Sequence, residues 1–417
     1  MNQVVQLRKI NPAITVYATA WTPPQADKEN NSDTEINNND PTNCFDGLPT
    51  TNNGTNCTAA ADTDYSDYLV AFLQHADSYI SSQGASGDIN VVSVQNEPDW
   101  NTTYESALWT GPQFDTFVGS YLGPAMRNAG LLNTTKIMVT ESFHDSLALA
   151  SNTMDDATAA GYVGYIGGHL YGSPEPPATL ASAGWSHLTN QHYWETEISD
   201  TGTSDNMAGT GLQEAQWIHN CIVDAGMNAF NHWWINGGTE ALDDNGWLVT
   251  FYVEGQWSKF IRPGFVRIAA TEFPEGGSSY SNAAVWCGAY ASPTLSRVVI
   301  VAVNDSTNSH TETFNLSGVA NVSEVAPWLT DDQYGDNHNG LAQQSLVTVS
   351  GNSFSYTLPA QSVLTFVGDC NPSTPTRTYT VSPSPTNSPT ATATPTKIPT
   401  PGPCTYIAAV DCGSTSA

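Results

Sequence analysis

Apolar and polar positions change their period along the chain, and the changes divide it. From residue 13 to 262, strand-length apolar runs alternate with stretches of helical spacing. The runs are AITVYATA (13–20), INVVSVQN (89–96), KIMVTE (136–141), YVGYIGGHLY (162–171), HYWETE (192–197) and NAFNHWWI (228–235). Between the first two, Tyr65, Tyr68, Leu69, Phe72, Leu73, Ala76, Tyr79 and Ile80 recur at helical spacing, which predicts an amphipathic helix. Trp217, Ile218, Cys221, Ile222 and Ala225 do the same before the last run. Strands that alternate with helices predict parallel βαβ units and an α/β fold. From 265 to 367 only short strands remain (RVVIVAVND, HTETFNLSG, SLVTVS, SFSYTL, SVLTFVG), so a small antiparallel β domain is expected there. The segment STPTRTYTVSPSPTNSPTATATPTKIPTPGP (373–403) cannot bury a core and reads as an extended linker. The expected division is therefore 1–263, 264–369, a linker over 370–403, and 404–417 as the start of a further module.

Charge narrows the partners. With 40 Asp and Glu against 11 Lys and Arg, the formal net charge is −29, which repels nucleic acid and anionic membrane. No apolar run reaches transmembrane length, and no signal peptide is visible. A neutral or weakly charged substrate fits this balance, and a monomer is expected. The seven cysteines form no CxxC pair, so zinc and redox motifs find no support. Cys44 with Cys57, and Cys404 with Cys412, are close enough to staple loops, while Cys221 lies in an amphipathic stretch and reads as buried. An oxidising location is expected.

Candidate chemistry lies at strand ends. In a βα barrel the reacting groups gather at the C-terminal face. The run VVSVQNEPDW (91–100) ends in Glu97, and YWETE ends in Glu195 and Glu197. Strand alternation puts Glu195 and Glu197 on one face, so spacing leaves both open. Two carboxylates facing each other suggest glycoside hydrolysis, one giving a proton and the other attacking. A polar turn capping a strand is the plainer alternative for Glu97. Glu141 ends MVTE and is expected to be a buried structural glutamate rather than a third acid.

The motifs SVQNEPDW, WETEISD, GGHLYG, AWTPP and WSKFIRPGFVRI, in this order, resemble glycoside hydrolase family 30, in particular its bacterial xylanase branch. The resemblance covers nearly all of the chain before the linker. It implies a (β/α)8 TIM barrel fused to a side β domain, no cofactor, and hydrolysis with retention. It makes Glu97 the acid/base and Glu197 the nucleophile, with Glu195 a supporting or surface residue. The acid/base is then expected to be protonated and the nucleophile ionised. Asn96 would bind the sugar 2-hydroxyl, and Pro98 would aim Glu97 into the cleft. Trp21 and Trp109 become sugar platforms or packed core tryptophans. His169 and Tyr171 fall beside the nucleophile, and Trp233 or Trp234 floors the scissile-sugar subsite. The family's catalytic pair follows its fourth and seventh strands. Here the pair follows the second and fifth of six, so the first two β/α units are expected to be absent. No metal is expected, because His and Asp show no ligand spacing around the pair.

The implied activity is a secreted endo-β-1,4-xylanase acting on xylan, followed by a carbohydrate-binding module after the linker. Hydrolysis of β-1,6-glucan or β-1,6-galactan, or carbohydrate binding without turnover, are the alternatives. Family members that demand glucuronate side groups carry a W-W-Y-I-R-R pattern. Here HWWINGGTEALDDNG has Asn236 and Gly237 at the arginine places, with Glu240, Asp243 and Asp244 nearby. A uronate would meet like charge and no guanidinium clamp, so no glucuronate requirement is expected.

Overall fold

The computed structural model describes residues 1–28, 59–100, 102–172, 176–199, 205–233, 235, 242, 246–271, 285–319, 321–332, 340–370 and 406–412. They fall in two compact units, Met1–Ser199 with Ile218–Trp233, and Asp200–Trp217 with Trp234–Ala417.

In the first unit five parallel strands follow in chain order: β1 (Tyr17–Thr19), β2 (Val91–Ser93), β3 (Lys136–Ser142), β4 (Val163–His169) and β5 (His192–Glu197). β2 is buried throughout and β3 is buried at every position after Lys136, as strands covered on both faces must be. The helix α2 (Ala59–Ser82) buries Tyr65, Leu69, Leu73, Ala76 and Ile80, the stripe its periodicity predicts, and leaves Tyr68 and Phe72 exposed. Its Tyr65 hydroxyl donates to the Val94 carbonyl at 2.6 Å, tying the helix to the end of β2. Ahead of β1, α1 (Asn2–Ile10) is held by the buried Arg8, whose guanidinium donates to the carbonyls of Pro12 and Asp88 and to Asn90 Oδ1.

The run NAFNHWWI does not form a sixth strand. It touches β5 through two isolated bridges, Trp194 with Ala229 and Ile198 with His232. Between them the Asn231 N–H donates to Glu195 Oε2 at 2.9 Å, and its side-chain amide donates to the Glu195 carbonyl at 2.7 Å. A side chain thus takes the N–H that a ladder would have used.

The second unit holds β6 (Val266–Thr271), β7 (Val285–Ala291), β8 (Arg297–Asn304), β9 (His310–Val319), β10 (Glu324–Thr330), β11 (Ala342–Gln343), β12 (Val347–Thr348), β13 (Ser353–Leu358), β14 (Ser362–Asp369) and β15 (Tyr406–Cys412). Its strand order is β11-β10-β14-β8-β7-β6-β15-β9-β13, with β12 on β10. Phe314, Phe354 and Phe366 stack at the centre of its core, with centroids 4.9–5.2 Å apart. The helix Val249–Ser258 packs against this sheet: Gln256 donates to Thr330 Oγ1, and Thr365 donates to the Gln256 carbonyl. Residues 404–417, expected to open a further module, supply β15, which pairs parallel with β6 and antiparallel with β9. A parallel α/β sheet of the TIM-barrel type and an antiparallel β domain are the two architectures the sequence implied.

Cys221 is buried, as expected, while Cys287 and Cys370 are disulfide-bonded. The expected Cys44/Cys57 and Cys404/Cys412 staples both involve residues outside the described ones.

Candidate active site

Glu97 follows β2 with its backbone in the left-handed region, at φ +46°. That conformation is uncommon for a residue other than glycine and recurs at functional sites. Its neighbours hold it there. The Glu97 N–H donates to the Glu141 carbonyl at 3.0 Å, and the Trp100 N–H donates to the Glu97 carbonyl at 3.1 Å. Glu141 also lies in the left-handed region, at φ +51°, where the β3–β4 ladder shifts register between Thr140 and Ser142. A second shift, between Gly168 and His169, sets His169 opposite Glu197 across β4 and β5. The paired glycines of GGHLYG are what allow β4 so close. A Cβ on Gly168 would lie 2.0 Å from Asp145 Oδ1, and one on Gly167 would lie 2.7 Å from Met138 Sδ.

The result is a buried cluster in which Glu97, His169 and Glu197 each bring one polar atom within 4.8 Å of the others. His169 Nδ1 stands 3.1 Å from Glu97 Oε1 and 4.0 Å from Glu197 Oε1. The Tyr104 hydroxyl donates to Glu97 Oε2, and the Tyr171 hydroxyl donates to Glu197 Oε1 at 3.3 Å. Chain spacing gave no metal-ligand pattern because the three groups come from three different strands. A cation could find three donors here, and the hydroxyls of Tyr104 and Tyr171 already donate to the two carboxylates.

Burial, with the nearby charges of Glu97 and Glu141, raises the Glu197 carboxyl to about 7, against the opposing pull of His169 and Tyr171. Burial likewise raises Glu141 to about 7, although Ser93 and Thr196 hydrogen-bond it. Glu197, the expected ionised partner, therefore takes up its proton nearer neutrality than an ordinary carboxyl does. Glu141 sits 1 % exposed and accepts from the Thr19 hydroxyl, the structural glutamate expected. Glu195 is fully buried and braces Asn231, so it supports the fold and is not a surface group.

Asn96 is buried, and its carboxamide has no hydrogen-bond partner among the described residues. Trp21 lies 5.6 Å from Trp233 and 5.4 Å from Tyr104, ring centre to ring centre, in a half-buried group. Trp109 is not with them. It is 3 % exposed, packs on Tyr65, Phe114 and Phe117, and donates from Nε1 to Gln95, so it is a core tryptophan and not a platform. Trp234, Asn236, Gly237, Glu240, Asp243 and Asp244 lie outside the described residues. Tyr104 was not foreseen, since it falls in NTTYESALWT, where no period marks its direction.

No family model matches the chain. Its structure superposes on the glycoside hydrolase family 30 subfamily 8 xylanase from Clostridium acetobutylicum with a TM-score of 0.69 and 31% identity, covering 88% of this chain and 84% of that one. In sequence it is 32% identical over 321 residues to a glucuronoxylanase of Bacillus subtilis, covering 74% of this chain and 68% of that enzyme. The chain belongs to glycoside hydrolase family 30. A more distant relative is an endo-1,6-β-D-glucanase of Neurospora crassa, 24% identical over 300 residues, which spans 64% of this chain and 54% of that enzyme. The chain is thus a glycoside hydrolase similar to the family's xylanases, and Glu97 and Glu197 are buried carboxylates suited to glycoside hydrolysis.

Proposed function

We propose that the chain is an endo-β-1,4-xylanase that cuts xylan by double displacement. The observation that carries this reading is the approach of Glu97 and Glu197, whose nearest oxygens fall within 4.8 Å. Retaining pairs stand about 5–5.5 Å apart, whereas inverting pairs need about 6.5–9.5 Å to admit water. Glu197 attacks the anomeric carbon as the Glu97 carboxyl passes its proton to the glycosidic oxygen. Glu97 then takes a proton from the water that attacks the glycosyl ester. Asn96 supplies an unspent amide for the 2-hydroxyl, a contact that strengthens in the transition state. Trp21 and Trp233 wall the sugar on the glycone side of the pair.

The substrate follows from the relatives together with the sequence. The absence of arginines at positions 236 and 237 supports cleavage without a glucuronate requirement, although the Bacillus relatives are named glucuronoxylanases. Disulfides at Cys287 and Cys370 support export to an oxidising compartment. Reducing-sugar release from linear xylan, glucuronoxylan, β-1,6-glucan and β-1,6-galactan tests the reading. Comparable cleavage of the two xylans is expected. Products with one glucuronate at a fixed place and linear xylan untouched would refute glucuronate independence. Cleavage of the β-1,6-glucan alone would favour the activity named for the Neurospora relative.

A further inference from the structure

One side chain of the loop after β2 touches the acid/base without a role in the two steps. Tyr104 turns its hydroxyl back onto Glu97 and donates to Oε2. Glu97 Oε1 meets a different neighbour, His169 Nδ1 at 3.1 Å, which in turn stands 4.0 Å from Glu197 Oε1. The two oxygens of Glu97 are therefore told apart by their company. One faces a phenol, and the other faces the imidazole that the nucleophile also meets. Tyr104 is built into its place. The Trp109 N–H donates to the Pro98 carbonyl at 2.9 Å and closes the loop. Inside it the Ser106 hydroxyl donates to the Tyr104 carbonyl at 3.0 Å, and the buried Lys28 ammonium donates to the Ser106 carbonyl at 2.6 Å. Trp21 packs on the tyrosine ring at 5.4 Å between centres. Packing needs only the ring, which phenylalanine would supply, whereas the hydroxyl is spent on the carboxyl. Burial, and then Glu97 itself, hold that hydroxyl above the ordinary phenol range, so it keeps its proton and stays a donor.

We infer that Tyr104 is a positioning residue for the acid/base: by donating to Oε2 it fixes the rotation of the Glu97 carboxyl and leaves Oε1 to carry the transferred proton. The one contact serves both steps. In the first, the proton on Oε1 passes to the glycosidic oxygen, which keeps the electron pair of the bond it loses to the anomeric carbon. In the second, the phenol steadies the carboxylate so formed until Oε1 takes a proton from the attacking water. This rests on the double-displacement reading above.

The test is Tyr104→Phe in the full chain, which removes the hydroxyl and keeps the ring on Trp21. Two readouts compare it with wild type, and neither depends on how much of the protein is folded. The first is the ratio of kcat/KM on linear xylo-oligosaccharide, whose leaving sugar needs a proton, to that on 2,4-dinitrophenyl β-xylobioside, whose leaving group does not. It should fall about tenfold, a part of what general acid catalysis contributes. The second is the alkaline limb of kcat/KM on the oligosaccharide. Glu97 is faced by His169 from β4, Glu197 from β5 and Glu141 from β3, and the substitution leaves all three in place. Loss of a donor to the carboxylate should move that limb up by about one pH unit. Either readout unchanged would overturn the proposal and leave Tyr104 a packing partner of Trp21. A wild-type chain that turns over neither substrate would instead remove the double-displacement reading, and this inference with it.

Discussion

Glu197 and Glu195 sit two positions apart on one strand, and only their surroundings separate them. Glu197 shares His169 with Glu97, whereas Glu195 is spent on Asn231. Glu197→Ala should therefore abolish turnover of every substrate. Glu97→Ala should slow xylan at least 100-fold while sparing the first step on aryl glycosides with good leaving groups, at the scale of general acid catalysis, about 10²–10⁴. Glu195→Ala should act through folding, costing about 1–3 kcal/mol as Asn231 loses its partner. Chemical denaturation alongside steady-state kinetics separates these outcomes. Only ionised Glu197 can attack, and its ionised fraction grows as pH rises through about 7. The acid limb of kcat/KM should accordingly bend near 7, falling tenfold per pH unit below it. A bend near the ordinary carboxylate value of about 4.3 would contradict this. At this scale the sequence was legible wherever a motif fixed a residue's company, as for Glu97 and Glu197. It was silent on Tyr104, and on the left-handed backbone of Glu97 and Glu141, because no residue-type preference marks a glutamate for positive φ. Trp109 and Trp21 were indistinguishable by type, and burial alone sorted them.

Element boundaries show where periodicity works and where it fails. α2 was readable because one face carries a continuous apolar stripe, and β3, β4 and β5 because buried positions recur along them. β7 was missed because VWCGAYA, though buried throughout, lacks the β-branched run that made the similarly buried β8 readable. NAFNHWWI looked like a strand, yet a competing side chain interrupts its ladder. The glycines of β4 make a sharp prediction. Gly168→Ala puts a methyl into Oδ1 of the Asp145 carboxylate, whose other oxygen, Oδ2, accepts from the Tyr193 hydroxyl at 2.5 Å. That variant should lose about 1–3 kcal/mol of stability by overpacking and displace His169 next to it. A thermal melt equal to wild type with unchanged kcat would show that β4 can shift freely.

Across the whole molecule, buried carboxyls and surface charge act with the same sign on stability. Glu141, Glu197 and Asp145 are raised to about 7, and Asp62 to about 6, in each case first by burial. Between their unfolded values, near 4, and these raised values, the folded state holds more protons than the unfolded one. Their contribution is therefore complete below about pH 4 and is lost as pH rises through 6 to 7, at up to about 1.4 kcal/mol per group per pH unit. The growing self-repulsion of a chain at formal charge −29 adds to the loss. The melting temperature should drop by several degrees between pH 4.5 and 7, and a rise over that interval would contradict the burial of these groups. The two-part architecture was visible in the change from alternating to purely strand-like periodicity. The return of residues 406–412 to the second unit's sheet was not, because pairing partners so far apart in sequence leave no local pattern. Covalent catalysis by Glu197 opposite Glu97 is tested most directly by trapping the intermediate. The full chain is incubated with a 2-deoxy-2-fluoro xylobioside bearing a good leaving group, and its peptides are mapped by mass spectrometry. A single fluoro-xylobiosyl ester on Glu197 is expected; a label on Glu195, Glu141 or Glu97 would contradict this assignment of the nucleophile.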